Sequence, residues 1–137
     1  MKIVEEKRDI FNIDFDKYKI VHCISYDCKM TLGIAVPIKK KFKLYKLYEK
    51  VDKYPTCVFH NNVLNLITKE KYWHKPTYNN FKKALEEMKE IVIKEEIKYI
   101  VMPRIGCGLD KLTWKKVYEI IENLFKEIDI EILVCYL

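Results

Sequence analysis

Apolar residues along the chain fall into short continuous runs and longer stripes at helical spacing, and the two kinds alternate. Lys2 to Glu6 reads as a short strand, followed by a break around Asp9-Ile10-Phe11-Asn12. Tyr18 to Ser25 (YKIVHCIS) is apolar almost throughout and β-branched, the signature of a strand covered on both faces. Lys98 to Met102 (KYIVM) and Glu131 to Leu137 (EILVCYL) have the same character. Thr56 to His60 and Val63 to Thr68 read as two strands joined by Asn61-Asn62, a hairpin signal without a glycine. Phe81, Ala84, Leu85, Met88, Ile91 and Val92 repeat on one helical face behind Thr77, a candidate N-cap. Val117, Ile120, Ile121, Leu124 and Phe125 repeat on a second, with Thr113 as candidate cap. A further helix is predicted from Leu32 to about Tyr48, interrupted near Pro37, with Lys39-Lys40-Lys41 on its wet side.

Strands that alternate with helices predict an α/β fold: a three-layer α/β/α sandwich with a mixed central sheet. No linker, repeat or low-complexity tract divides the chain, so residues 1–137 read as a single domain. In such sheets ligands bind at the carboxyl ends of the strands. The loops after Ser25, Thr68 and Met102 are therefore the places to look for function.

Composition narrows the classes. Half of the 137 residues are hydrophobic, enough for a real core. The net charge is +6, but of 26 basic residues only Arg8 and Arg104 are arginine. A lysine excess fits solubility and mild attraction to anions better than bidentate reading of phosphates or base edges. No apolar run approaches the roughly 20 residues of a membrane span, and no signal peptide or lipidation motif is present. Five cysteines without a CxxC and three scattered histidines give neither a disulfide framework nor a metal site. The expectation is a reduced intracellular protein, cytoplasmic or nuclear, monomeric, with no metal, no cofactor and no membrane partner.

Two loops carry candidate chemistry. Pro103 to Asp110 (PRIGCGLD) follows a buried strand and precedes a helix. Its two glycines free the backbone to form a nest of N–H groups suited to phosphate oxygens. A tight strand-to-helix turn needing positive φ is the plainer alternative. The loop after Ser25, Tyr26 to Gly33, also enters a helix, whose N-terminus attracts anions. Two such loops on neighbouring strand ends would cradle a diphosphate.

HCISYDCKMTLGIAV, LITKEKYWHKPTY and MPRIGCGLDKLTW resemble, in that order, the three signature blocks of macro domains. The likeness is to the terminal ADP-ribose protein glycohydrolase branch and runs from Asp9 to Leu137. It implies an ADP-ribose-binding hydrolase that removes terminal mono-ADP-ribose from glutamate and aspartate side chains and also deacylates O-acetyl-ADP-ribose. By the same resemblance Asp9 and Ile10 match the adenine-recognising pair, and Ser25 a ligand-contacting serine. Arg104, Ile105, Gly106, Cys107, Gly108 and Leu109 match the loop around the diphosphate and distal ribose, and Leu137 a residue against the adenosine. Lys69 and Asp110 match the catalytic positions, a nucleophile and an acid/base; without the resemblance no lysine among so many would stand out. His74 and Trp114 read as structural.

The implied chemistry is coherent. A carboxylate leaves readily from the anomeric carbon, so a nucleophile is needed more than an acid. A buried lysine is eased toward its neutral, nucleophilic form, and an aspartate beside it can shuttle the proton. Two alternatives stay open. Thr31-Leu32 replaces the family's Gly-Ala pair, which leaves room for a non-catalytic ADP-ribose reader. A hydrolase acting on ADP-ribosylated nucleic acid is the other; expected partners are thus ADP-ribose with ADP-ribosylated proteins or nucleic acid.

Overall fold

The computed structural model describes all 137 residues. Six strands, β1 (Lys2–Lys7), β2 (Lys19–Ser25), β3 (Thr56–His60), β4 (Val63–Lys69), β5 (Tyr99–Met102) and β6 (Glu131–Tyr136), form one sheet. Their order is β1-β6-β5-β2-β4-β3, with every neighbouring pair parallel except the β3–β4 hairpin at one edge. Helix α1 (Ala35–Phe42) covers one face; α2 (Tyr78–Lys94) and α3 (Trp114–Phe125) cover the other. The mixed three-layer architecture is the one the alternating runs predict.

The period of two along the strands builds both cores at once. Val21, Leu64, Leu66, Ile100, Met102, Ile132 and Val134 point toward α2 and α3. Their neighbours Ile20, Ile24, Val63, Ile67, Val101 and Leu133 point toward α1. Phe81, Leu85 and Met88 bring the α2 stripe fully inside; each such side chain contributes about 1.5–3 kcal/mol over its exposed state. Thr77 caps α2 as expected, its hydroxyl accepting from the Asn80 N–H at 3.0 Å. Asn61 and Asn62 turn the hairpin with φ of 45° and 71°, a conformation asparagine tolerates better than other side chains.

Two helix ends differ from expectation. The predicted Leu32–Tyr48 helix begins only at Ala35 and stops at Phe42; Leu47–Lys50 forms a separate 3-10 turn. Gly33, at φ +62°, opens a turn before it, and Lys43, at φ +55°, breaks it at the other end. The Asn61 amide then donates to the Phe42 and Lys43 carbonyls, supplying partners that sequence periodicity does not reveal. Pro37 does not interrupt α1: it lies in the first turn, where its missing N–H has no helical partner to lose. Thr113 precedes α3 but its side chain makes no cap hydrogen bond; its N–H donates instead to the Tyr78 hydroxyl at 2.8 Å.

Beneath the carboxyl end of the sheet, β2 and β4 place His22 against Asn65. His22 Nε2 lies 2.6 Å from Asn65 Oδ1, and the Asn65 amide donates to the Val58 and Val63 carbonyls. Since that carbonyl oxygen only accepts, Nε2 carries the ring proton and Nδ1 is left as a bare lone pair without a partner. Protonating Nδ1 would bury a charge, so burial pushes the His22 pKa down to about 4 although Asn65 opposes the shift. The folded state therefore resists a proton that the unfolded chain accepts below its ordinary 6.5. Stability is full above that pH and falls as pH drops toward about 4, by roughly 3 kcal/mol. Urea titrations across this range are expected to show that loss, and His22→Gln to flatten the slope by about one proton.

Candidate active site

A cavity of about 530 Å³ opens at the carboxyl ends of β2, β4 and β5. Its floor is the end of β2, and its walls are the loops that follow β2, β4 and β5. These are the three loops that strand order singles out.

The β2–β4 ladder contains one irregularity, and it falls here. The register runs Ile24 opposite Ile67 and then jumps to Ser25 opposite Lys69, so Thr68 is an extra residue on β4. A bulge of this kind bends its strand and re-aims the side chains around it. Lys69 reaches across to the β5–α3 loop, where its Nζ stands 2.5 Å from Asp110 Oδ1. The two side chains are only 11% and 10% exposed, unlike every other ion pair of the fold, each of which is open to water. A shielded charge-assisted hydrogen bond of this kind is strong, and removing either partner strands the other charge.

Asp110 is delivered by a run of tight turns: the Cys107 N–H donates to the Arg104 carbonyl, and Leu112 and Lys111 donate back to Gly106 and Gly108. Gly106 holds φ at +76°, and a Cβ there would meet Leu112 Cδ1 at 2.9 Å and Phe81 Cε2 at 3.0 Å. The positive φ favours glycine at Gly106, and a Cβ would in addition crowd the Phe81 ring edge. At Gly108 the surroundings are open.

The loops are tied to each other across the cavity. The Tyr26 N–H donates to the Lys69 carbonyl and the Asp27 N–H to Glu70, extending the parallel pairing beyond the strands. The Asp27 carboxylate accepts from the Ser25 hydroxyl, from the Tyr72 N–H at 3.2 Å and from the Lys29 N–H at 3.5 Å. Partial burial alone would raise its pKa, but these bonds and the charge of Lys71 hold the carboxyl below its ordinary value. On the opposite rim Lys75 donates to the Leu109 carbonyl. Cys23, in the cavity lining, and Cys107, in the β5–α3 loop, are unsuited to attack. Burial, reinforced by Asp110, pushes the Cys23 thiol well above its ordinary value, and burial raises that of Cys107.

Of the residues singled out from sequence, Ser25, Lys69, Arg104, Ile105, Gly106, Gly108, Leu109 and Asp110 line this one cavity. Asp9, Ile10, Cys107 and Leu137 do not. Asp9 and Ile10 follow β1, two strands along the same sheet edge, where the Arg8 N–H donates to the Tyr136 carbonyl beside Leu137. Asp9 Oδ1 accepts from the Phe11 N–H, Ile10 is buried, and Leu137 is exposed. Cys107 points back to the Ile105 carbonyl. Arg104 sits at the rim, its guanidinium 4.5 Å from the Tyr136 ring and 3.6 Å from Glu5. Trp114 packs against the α2–α3 core and donates to Glu5 at 3.0 Å. Sequence reasoning missed Asp27, Tyr72 and Lys75, which act through contacts remote in sequence that no local pattern announces, and Trp73, which packs edge-on against its neighbours Tyr72 and His74 at the cavity wall.

No family model matches the chain. The ADP-ribose glycohydrolase OARD1 of Bos taurus is 45% identical over 120 residues, covering 84% of this chain and 79% of its own length. The human protein of the same name is 43% identical over the same shares. Among solved structures, the macrodomain of Mycobacterium tuberculosis DarG superposes with a TM-score of 0.85 at 16% identity, over 97% of this chain and 96% of that one. Thermosipho africanus DarTG in complex with ADP-ribose gives 0.80 at 18% identity, over 98% of this chain and 41% of that one. Three cavity-forming loops on this sheet, and a curated likeness spanning most of both chains, place the protein in the macro domain family, within its ADP-ribose glycohydrolase branch.

Proposed function

We propose that the chain hydrolyses the bond between terminal ADP-ribose and an acidic side chain, with Lys69 as nucleophile and Asp110 as proton carrier. The observation that supports this best is the shielded 2.5 Å contact between them inside the cavity. The diphosphate would lie against the Arg104–Leu109 loop. The adenosine would extend along the sheet edge toward Asp9, Ile10 and Leu137.

The pair shares one proton. Its passage from Nζ to the Asp110 carboxylate frees the lysine lone pair for attack on the anomeric carbon. The carbon–oxygen bond to the acceptor breaks, and its electron pair leaves with the carboxylate. Asp110 releases its proton to solvent and then takes one from the water that attacks the adduct. The carbon–nitrogen electron pair returns to Nζ, and the proton passes back from Asp110 to it, restoring the starting pair. One ester and one water yield ADP-ribose, a carboxylate and a solvent proton. The same path deacylates O-acetyl-ADP-ribose when the acyl group is on the anomeric oxygen.

Tyr72 and Trp73, exposed at the rim, favour a second reading in which the acceptor is a nucleobase stacked there and the substrate is ADP-ribosylated nucleic acid.

Incubation with glutamate-linked mono-ADP-ribosylated protein is expected to release ADP-ribose, whereas Lys69→Ala is expected to lower kcat at least about a thousandfold. Full activity in that variant would overturn the nucleophile assignment. Asp110→Ala, which keeps the amine but removes the proton carrier, is expected to lose roughly 10²–10⁴ in kcat. Turnover confined to thymidine-modified single-stranded DNA would select the second reading.

A further inference from the structure

The stretch from the last turn of α1 through the 3-10 turn concentrates positive charge on the surface. Lys39, Lys40, Lys41, Lys43, Lys46 and Lys50 fall within it, against a single carboxylate, Glu49. None of these lysines forms an ion pair. Asp52 follows in the chain, and Asp14 and Asp16 flank Phe15, whose ring meets Phe42 at 5.2 Å, yet none of the three reaches a lysine of the stretch. The charge is felt inside the fold: Lys50 adds to burial in holding the His60 imidazole below its ordinary pKa.

Two aromatic rings stand among these charges. Leu44 and Leu47 are buried, which turns Tyr45 and Tyr48, each one residue later, toward water. The Leu47 N–H donates to the Leu44 carbonyl and the Glu49 N–H to that of Lys46. Such winding has three residues per turn, so Tyr45 and Tyr48 share one side. They are the most exposed tyrosines of the chain, at 58% and 60%. Neither packs on another ring, and Lys39 Nζ stands 6.0 Å from the centre of the Tyr45 ring. Lysines are satisfied by water; two large rings held open among them leave apolar surface uncovered.

We propose that this face, outside the catalytic cavity, binds single-stranded nucleic acid, with phosphates on the lysines and bases on Tyr45 and Tyr48. An aromatic face accepts any base, and lysine neutralises phosphates as a point charge without reading sequence. A duplex keeps its bases stacked inside and would use the lysines alone, as would an acidic peptide. An anionic membrane takes up Trp, Phe or Leu, and none of these is exposed between Lys39 and Lys50. Helix α1 joins this face to the cavity. Ala35, at its start, is in the cavity lining, and its eight residues bring the chain to the lysines roughly 12 Å away. A strand held here lies about one short helix from the hydrolase, whether the acceptor there is an acidic side chain or a nucleobase.

The test is fluorescence anisotropy of the full chain with a labelled oligothymidylate of about 20 nucleotides. Binding is expected to weaken with salt at a log–log slope of about −3, as for four neutralised phosphates. Lys40→Glu combined with Lys46→Glu is expected to halve that slope and to lower affinity at least about tenfold. Tyr45→Ala combined with Tyr48→Ala should lower affinity about tenfold or more with the slope unchanged, while the paired Phe substitutions keep it. Lys82→Glu combined with Lys83→Glu makes the same change of charge on α2 and should alter binding less than about twofold, since screening confines the effect. All variants should bind ADP-ribose as the wild type does, and saturating ADP-ribose should leave the strand bound. Absence of binding, an equal loss in the α2 variant, or indifference to removal of the rings overturns the proposal. Displacement by ADP-ribose also overturns it, by placing the strand in the cavity. Tighter binding to phosphatidylserine vesicles than to the strand would give the face to a membrane instead.

Discussion

The contact between Lys69 and Asp110 joins two segments that share no other element. One is the end of β4; the other is a loop 41 residues later that leads from β5 into α3. Two opposite charges held at 2.5 Å with little access to water tolerate few relative positions of those segments. The β4 bulge and the turns around Gly106 can both be understood as what is needed to meet that condition. The bulge brings Lys69 opposite Ser25, and the glycine lets the backbone fold back over Phe81 so that Asp110 arrives from the other side.

Around this pair the cavity is held by contacts between loops rather than within them. Asp27 links the β2 loop to the β4 loop, and Lys75 links the β4 loop to the β5 loop. Ser25, which the family resemblance implies is a ligand contact, donates its hydroxyl to Asp27 and so helps to fix the shape of the loop. The floor is neutral at ordinary pH, since His22 is held uncharged beneath it. Positive charge is thereby confined to Lys69, Lys75 and Arg104 at the walls and rim.

The strands were legible because burial on both faces requires nearly unbroken apolar runs, and both α2 and its Thr77 cap follow from spacing and hydrogen-bond chemistry. The ends of α1 were not: Lys39, Lys40 and Lys41 suit a helix whether it continues or stops. What stops it is a left-handed Lys43 met by Asn61 from a hairpin 18 residues away. The two glycines announced a tight strand-to-helix loop through their local pattern, and Gly106 indeed holds a positive φ there. Lys69 did not announce itself, because a bulge is a property of two strands paired and not of either sequence alone. For the same reason Thr68 reads as an ordinary strand residue until the shift in register leaves its hydroxyl stranded.

The close approach of Gly106 to the Phe81 ring has a consequence for how this protein can vary. The loop that carries Asp110 stands directly on the side chain at the centre of the α2 core, with no intervening layer to absorb a change in volume. A substitution that shifts Phe81 by a few tenths of an ångström is passed to the loop, and through it to the carboxylate. Volume in the α2 core and the placing of the Asp110 carboxylate are therefore mechanically linked: a change of shape at Phe81 reaches the wall of the cavity without crossing any softer layer.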